Sequence, residues 1–320
     1  MILTVTLNTA LDLTYHVPRL EPHGSHRVTE VTERAGGKGL NVARVLAALG
    51  HDTVVTGFAG GATGTTVRRL LAESAPREGL AIGGVTGTAG RLTDALVPIG
   101  GRTRRTVGVV DASTGDTTQL NEPGPDVTPK EWAGFADTYA RLLPEARAVA
   151  LCGSLPPGVP VGAYALLVRK ARALGVPVLL DTSGEPLRRA VAARPDVVKP
   201  NTEELAALTG STEPLRAALD TRRRGAHAVA ATLGPAGMLA VTPDGAWRAA
   251  PPRRISGNPT GAGDSASAAL LSGWVENLPW PDRIARAVAL SAATVRTPAA
   301  GEFDAAAYEA LLPQVKVAPA

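Results

Sequence analysis

The sequence predicts an α/β fold with a doubly wound, mostly parallel sheet, helices on both of its faces and a small additional β-sheet. Short β-branched or aliphatic runs alternate along the chain with longer Ala-, Leu- and Arg-rich segments of helical period. The runs are continuously apolar, which is typical of parallel strands that are buried on both faces. Two other stretches, 13–34 and 91–120, alternate polar and apolar residues around turn signals, as a half-exposed sheet does.

The first half of the chain begins with a strand predicted at 2–7. A helix is predicted at 39–49, where the apolar residues share one face and Gly50 ends the helix. A strand at 53–56 and a helix around 65–71 follow, and the Gly-, Thr- and Ala-rich segment 74–90 is predicted to be a loop. Thr128 and Glu131 form a capping box with Pro129 at the first helical position, which predicts a helix that continues towards residue 143.

The second half repeats the alternation of strand and helix. Buried strands are predicted at 148–151, 176–180, 197–198 and 228–232, and helices at 161–174, 186–193, 203–208 and 214–224. From Gly261 onward nearly all of the chain is predicted to be helical. Such alternation is typical of a doubly wound sheet with right-handed crossovers.

Composition and charge exclude several classes of protein. The 33 basic residues are scattered, the net charge is only +4 and aromatic residues make up 3%, which argues against nucleic-acid binding but not against an anionic small ligand. One cysteine, Cys152, cannot form an internal disulfide, so we expect a reducing, cytoplasmic location. No apolar run approaches ~20 residues and no charged-then-apolar leader is present, so neither a membrane span nor secretion is expected.

The most specific motif is NPTGAGDS at 258–265, directly before a predicted helix. Glycines at a helix start let backbone N–H groups converge on an anion, and Asp264 in the first turn can face the same point. A carboxylate beside such donors suits phosphoryl transfer, as a proton acceptor. The alternative is that Asp264 is only a helix-terminal charge. A dinucleotide-binding G-x-G-x-x-A loop is disfavoured, because Pro259 precedes it and helices follow.

A second glycine cluster, AGGKGLN at 35–41, also opens a helix. Its glycines permit close backbone approach to a ligand, while Lys38 adds a positive charge and Asn41 an amide. The cluster is not a Walker loop, since no Ser or Thr follows the lysine. Asp12 follows the first strand at its carboxyl end, where α/β proteins bind ligands, although a lone Asp there is more often a turn residue.

In order along the chain, these motifs resemble the ribokinase/PfkB carbohydrate kinase family. Both family signatures are present, and further segments match in sequence: VTLNTALD (5–12), NEPGP (121–125), CGSLPPG (152–158), VKPNTEEL (198–205) and TLGPAG (232–237). The matches span essentially the whole chain. The segments LNTALD, GRTRR (101–105) and GSLPPG resemble the branch of the family that phosphorylates sugars already carrying a phosphate.

This resemblance implies a role for each matching residue. Asp264 would be the general base, with the backbone of Gly261, Ala262 and Gly263 as an anion hole. On the nucleotide side, ATP would be bound by Lys199, Asn201, Thr232, Gly234 and Gly237, and Mg²⁺ would be held through water by Asn201 and Glu204. On the sugar side, the hydroxyls would be bound by Asp12, Gly37, Lys38 and Asn41, and the existing phosphate by Arg104 and Ser154.

The resemblance also implies an activity and an assembly. The expected reaction is ATP- and Mg²⁺-dependent phosphorylation of fructose 1-phosphate to fructose 1,6-bisphosphate. Tagatose 6-phosphate or fructose 6-phosphate are alternative substrates, and a non-catalytic sensor of sugar phosphate or nucleotide is a more distant alternative. A monovalent cation such as K⁺ is left open, because Asn258-Pro259-Thr260 departs from the usual residues of this branch. Residues 1–320 would form one ribokinase-like domain, whose lid is inserted at 13–34 and 91–120 and pairs with a second lid in a homodimer.

Overall fold

Strands and helices alternate along the chain, which confirms the predicted α/β class. The computed structural model describes residues 1–74 and 88–320. Its strands are β1 (Ile2–Thr6), β2 (Ala10–Val17), β3 (Glu30–Gly36), β4 (Thr53–Gly60), β5 (Leu92–Asp94), β6 (Val97–Ile99), β7 (Arg104–Asp111), β8 (Thr117–Asn121), β9 (Ala148–Cys152), β10 (Val178–Asp181), β11 (Val197–Val198), β12 (Ala228–Thr232), β13 (Met238–Thr242), β14 (Gly245–Ala250) and β15 (Lys316–Pro319). Its helices are α1 (Lys38–Ala48), α2 (Gly61–Glu73), α3 (Pro129–Leu142), α4 (Ala163–Ala173), α5 (Gly184–Val191), α6 (Thr202–Thr209), α7 (Pro214–Arg223), α8 (Ala262–Val275), α9 (Trp280–Thr294) and α10 (Ala305–Leu311).

The large sheet has the strand order β15-β14-β13-β12-β11-β10-β9-β1-β4-β5, and β6 also pairs with β4. The strands from β12 to β5 run parallel, whereas β13, β14 and β15 are antiparallel additions at one edge. Strand β15 differs from the prediction, which made nearly all of the chain after Gly261 helical. Lys316–Pro319 becomes a strand because it pairs with β14, a tertiary partner that local sequence does not reveal.

Two apolar layers cover the faces of this sheet. In β1 the layers receive alternate side chains, with Leu3 and Val5 in the layer that contains α3 and α4, and Ile2 in the layer that contains α8 and α9. Such alternation along a parallel strand produces a sheet that is apolar on both sides. The carboxyl ends of β1, β9 and β10 lie side by side, because Thr6 pairs with Cys152 and Cys152 with Asp181.

A separate four-stranded sheet has the order β3-β2-β7-β8. Its centre is the parallel pair of β2 and β7, in which Asp12 lies opposite Thr106. One face packs on the core through Leu11 and Leu13, so Asp12 lies on the opposite face. The predicted segment 91–120 begins too early for this small sheet. Its first part forms β5 and β6, which pair with β4 in the large sheet, and Leu96 between them is buried.

The helices also agree closely with the predicted ones. Thr128 and Glu131 form the predicted capping box at the start of α3. The loop predicted at 74–90 falls largely on residues 75–87, which lie outside the described residues. In the described ranges, no helix is both long and apolar enough to cross a membrane.

Candidate active site

Helix α8 begins at a glycine turn that leaves backbone donors exposed. Gly261 has φ +84°, and a Cβ there would lie 2.7 Å from Ala300, so the position suits glycine on both counts. The N–H of Ala262 donates to the carbonyl of Pro259 at 3.1 Å. The N–H groups of Gly261 and Gly263 have no hydrogen-bond partner among residues 1–74 and 88–320. Two of the three predicted anion-hole donors are therefore available at a helix N-terminus.

Asp264 lies in the first turn of α8 and is buried, with 7% of its surface exposed. Its Oδ2 accepts a hydrogen bond from Nδ2 of Asn41 at 2.7 Å. The other amide atom of Asn41, Oδ1, accepts from Nη2 of Arg44 at 2.5 Å. Packing of α1 on α8 thus joins the two glycine motifs through an amide and a carboxylate.

The surroundings of Asp264 adjust its acidity. Burial raises the pKa of Asp264 to about 6, and repulsion from Asp181 acts in the same direction. Lys38, the hydrogen bond from Asn41 and Lys199 oppose this rise. The carboxylate is consequently a better proton acceptor than an exposed aspartate, yet it is mostly ionised at pH 7.

The most buried charge in the site, Asp181, was missed by the sequence reasoning. Its Oδ1 accepts from Nζ of Lys38 at 2.9 Å, and its Oδ2 lies 3.1 Å from Nζ of Lys199. Burial would raise the pKa of Asp181, but attraction to Lys199 and Lys38 outweighs it and the pKa is lowered. The same contact raises the pKa of Lys38. The feature of the sequence that could have identified Asp181 is its position at the carboxyl end of the buried strand β10.

The segment after β11 brings the predicted nucleotide residues beside this cluster. A Cβ at Gly263 would lie 3.5 Å from Nζ of Lys199, so the lysine lies close to the glycine turn. Asn201 and Glu204 form a reciprocal capping box for α6, with Oδ1 of Asn201 accepting from the N–H of Glu204 at 2.8 Å and Oε2 of Glu204 accepting from the N–H of Asn201 at 2.9 Å. The predicted metal motif is therefore also a helix start.

A cavity of about 720 Å³ lies between β12, β13 and the start of α8. Its lining includes the predicted nucleotide residues Asn201, Thr232, Gly234 and Gly237, as well as Gly263. Apolar side chains of Met238, Ile255, Val288 and Val295 form part of the same lining. A cavity of this volume, with apolar walls and a glycine turn at one side, has the size and character of a small-molecule site.

Asp12 lies where the small sheet meets α1. Its Oδ1 accepts from Oγ1 of Thr106, and burial raises its pKa although this hydrogen bond opposes the rise. A Cβ at Gly36 would lie 2.1 Å from the Asp12 carboxylate, so only glycine permits this approach. Asp12 and Asn41 line one small cavity of about 80 Å³. Gly37, with φ +111°, forms the turn between β3 and α1.

Arg104 and Ser154 are joined by Asn8, a second residue that the sequence reasoning did not assign. Nε of Arg104 donates to the carbonyl of Asn8 at 3.2 Å, and Nδ2 of Asn8 donates to Oγ of Ser154 at 3.1 Å. Ser154 accepts in this contact, so its own proton can serve another acceptor. Arg105, the next residue in β7, instead pairs with Glu122 at 2.8 Å.

The structure therefore brings several of the predicted residues together in two groups. Lys38 and Lys199 contact Asp181, whose charge also acts on Asp264, and Asp264 is hydrogen-bonded to Asn41. Arg104 and Ser154 are both hydrogen-bonded to Asn8. Of the described residues, no three His, Cys, Asp or Glu side chains form a cluster that could hold a metal by themselves.

Comparisons with known proteins agree with this geometry. Residues 4–75 and 92–306 match the family described as pfkB family carbohydrate kinase. The chain is 39% identical over 276 residues to a 1-phosphofructokinase of Rhodobacter capsulatus, covering 84% of this chain and 82% of that protein. It is 36% identical over 293 residues to a 1-phosphofructokinase of Xanthomonas campestris pv. campestris, covering 89% and 87%.

Among solved structures, phosphofructokinase-2 from Escherichia coli is similar over 98% of both chains at 28% identity. The TM-score is 0.86 for its complex with potassium and 0.85 for its complex with fructose-6-phosphate. A tetrameric inhibited form of the same protein also has a TM-score of 0.85. The similarity covers both the large sheet and the small one, since nearly the whole chain is aligned.

Proposed function

The chain belongs to the pfkB family of carbohydrate kinases, and on that basis we propose that it transfers the γ-phosphoryl group of ATP to fructose 1-phosphate, giving fructose 1,6-bisphosphate. Similarity to its relatives supports a phosphosugar kinase. The proposal concerns which sugar phosphate accepts the phosphoryl group. Two relatives named 1-phosphofructokinase, at 36% and 39% identity, support fructose 1-phosphate.

The observation that carries the proposal is the buried Asp264 carboxylate beside the glycine turn of α8. With a pKa of about 6, Asp264 can accept the proton of the attacking sugar hydroxyl near neutral pH. The N–H groups of Gly261 and Gly263 would stabilise charge on the transferring phosphoryl group, and Ala262 would shape the turn. Lys199, close to Gly263, adds a positive charge there.

Substrate orientation would come from both sheets. Sugar hydroxyls would be bound by Asp12, Gly37, Lys38 and Asn41, and Lys38 is held by Asp181. Arg104 and Ser154 would hold the substrate's existing phosphate by charge-assisted hydrogen bonds. Burial lowers the pKa of Arg104, but an arginine remains charged at neutral pH.

ATP would occupy the cavity of about 720 Å³, with its phosphates directed to the start of α8. The backbone at Gly234 and Gly237 would lie against the nucleotide, with Thr232 beside them. The donor set beside this cavity also fits Mg²⁺, a cation that prefers oxygen ligands and keeps several waters. Asn201 and Glu204 each use one oxygen in the capping box, and Oε1 of Glu204 has no partner among the described residues. Bound Mg²⁺ would neutralise charge on the phosphates.

The small sheet would act as a lid over the sugar, because Asp12 projects from it into the site. Excluding water in this way would favour transfer to the sugar over hydrolysis of ATP. The exposed Val31 and Leu120 lie on the same sheet face as Leu11 and Leu13, since they pair with Tyr15 and Val107, but outside the part of that face that is buried against the core. That exposed part of the face would pack against a second copy in a homodimer. The potassium complex of the E. coli neighbour supports a K⁺ requirement.

Fructose 6-phosphate is a second candidate acceptor, since the E. coli neighbour has been solved in complex with it. The test is ADP release by the purified protein with Mg²⁺-ATP and fructose 1-phosphate, fructose 6-phosphate, tagatose 6-phosphate or unphosphorylated sugars. The highest kcat/KM is expected for fructose 1-phosphate, and Asp264→Asn should lose nearly all activity. A higher kcat/KM with another phosphosugar would refute fructose 1-phosphate as the acceptor, and full activity of Asp264→Asn would refute Asp264 as the general base.

The metal role of Glu204 can be separated from its structural role. Glu204→Gln keeps the capping box but removes the charge, whereas Glu204→Ala removes both. We expect Glu204→Gln to raise the Mg²⁺ concentration for half-maximal activity without changing the melting temperature, and Glu204→Ala to lower the melting temperature as well. An unchanged Mg²⁺ requirement in both variants would contradict the proposed role.

A further inference from the structure

We propose that Arg44 is a positioning residue, which fixes the orientation of the Asn41 amide and through it the rotation of the Asp264 carboxylate. The inference rests on the proposed function of Asp264 as general base. Arg44 also lines the small cavity that contains Asp12 and Asn41, but the role proposed for it requires no contact with the sugar or ATP. Its contribution is a chain of two hydrogen bonds, from Arg44 to Asn41 and from Asn41 to Asp264.

Donor and acceptor chemistry determines the direction of this chain. Arg44 follows Asn41 by three residues in α1, so the two side chains share one helix face. A guanidinium has donors only, so the atom of Asn41 that faces it must be Oδ1. The amide is thereby turned so that Nδ2 points to Asp264. An ionised carboxylate can only accept, and therefore matches this orientation.

The guanidinium of Arg44 is itself held on several sides. Its Nη1 donates to the carbonyl of Ala35 at 2.7 Å, at the end of β3. A Cβ at Gly301 would lie 2.6 Å from its Nε, so the loop before α10 closes over it. Only 7% of Arg44 is exposed. Burying a charged guanidinium costs free energy. The distal atoms of Arg44 contact polar groups and not the apolar core.

The charges around Arg44 leave it protonated. Burial lowers its pKa to about 10 and Arg34 acts in the same direction, while Asp12, Glu302 and Asp264 oppose them. At neutral pH the guanidinium therefore still donates to Asn41. The groups that face Asp264 from other elements are Asp181 on β10, Lys38 on α1 and Lys199 after β11. Substitution of Arg44 leaves all three in place.

Without Arg44, the Asn41 amide is free to turn its oxygen towards Asp264. An amide oxygen repels an ionised carboxylate and accepts from a protonated one, so the pKa of Asp264 should rise. The acid limb of kcat/KM should then move upward by about one pH unit, as expected for loss of a hydrogen bond to a charged group. That shift lowers kcat/KM about fivefold at pH 6 and about twofold at pH 7, with no loss from ionisation near pH 9.

The experiment measures kcat and KM from pH 5 to 9 for wild type, Arg44→Met, Arg44→Lys and Gly301→Ala. Arg44→Met should show the shifted limb, with kcat reduced more than the sugar KM is raised. Arg44→Lys keeps a donor and should recover part of the wild-type profile. Gly301→Ala displaces the guanidinium from its far side and should shift the limb in the same direction, even if Arg44→Met fails to fold.

Arg286→Met is the matched control, because it removes another largely buried arginine, one that pairs with Glu276. It should leave the acid limb unchanged. The inference is overturned if Arg44→Met and Gly301→Ala keep the wild-type limb, or if Arg286→Met shifts it equally. A wild-type protein without kinase activity, or an active Asp264→Asn, would instead refute the proposed function.

Discussion

Replacing Asp264 by asparagine should abolish phosphoryl transfer and, at the same time, stabilise the fold. The carboxylate is buried at the start of α8, and its burial together with repulsion from Asp181 raises its pKa to about 6 from an ordinary value of 3.8. An acid whose pKa is raised by folding is harder to ionise in the folded state than in the unfolded state. The neutral isostere avoids this cost and can still accept a hydrogen bond from Asn41 through its own oxygen.

The magnitude follows from the size of the shift. A rise of about two pKa units corresponds to about 3 kcal/mol of stability lost when Asp264 is ionised. The cost is absent below about pH 4, where both states are protonated, grows as the pH rises from about 4 to 6, and is complete above pH 6. At about 2 °C per kcal/mol, the scale for long chains, Asp264→Asn should melt about 6 °C higher than wild type at pH 7.5.

The assay is thermal or urea unfolding of wild type and Asp264→Asn at pH values from 4 to 8. The two curves should converge near pH 4 and separate above it. Equal stability at pH 7.5, or a less stable Asp264→Asn, would refute the assignment of Asp264 as a buried carboxylate whose ionisation destabilises the fold.

Asp181→Asn provides the control of opposite sign in the same site. The pKa of Asp181 is lowered, so its ionised form stabilises the fold, and this stability is lost only as the pH falls below about 4. The amide must also turn its NH₂ towards Lys38 or Lys199, donors that cannot accept from it. We expect Asp181→Asn to lose about 3–5 kcal/mol at neutral pH, as for a broken buried ion pair.

Three further outcomes are expected. In wild type, kcat/KM should fall about tenfold per pH unit below pH 6 as Asp264 becomes protonated; a profile that stays flat to pH 5, measured by ADP release, would contradict this. Val31→Glu combined with Leu120→Glu should give monomers in light scattering, whereas Leu174→Glu, at a similarly exposed leucine directly after α4, should not. Thr128→Ala should cost about 1 kcal/mol in urea unfolding through loss of the α3 cap, without changing KM for either substrate.

Much of the fold could be predicted because its signals are local. The capping box of Thr128 and Glu131 lies within four residues, and the structure forms it as predicted. The glycine turn before α8 is equally local, since Gly261 needs a positive φ that few other residues adopt. The same reasoning applies to Asn201 and Glu204, where one four-residue pattern both starts a helix and places two oxygen donors.

The parts that escaped prediction depend on partners far away in the chain. Asp181 is a charge centre only because Lys38, 143 residues earlier, reaches it. Asn8 links Arg104 to Ser154 only after β1, β7 and the loop after β9 have come together. Likewise, β15 becomes a strand only by pairing with β14, and β5 belongs to the large sheet and not to the small one because it pairs with β4. Local sequence carries no record of such partners.

The parallel pairing of β2 with β7 also bears on the order in which the protein assembles. The two strands meet across about ninety residues of intervening chain, which includes α1, β4 and α2. Closing so long a loop costs entropy that only an already formed core can offset. The small sheet should therefore be completed late in folding, and the contact between Asp12 and Thr106 with it. Partly folded chains would then hold Asp264 and Lys38 in place before they can hold a sugar, so catalytic competence would be acquired last.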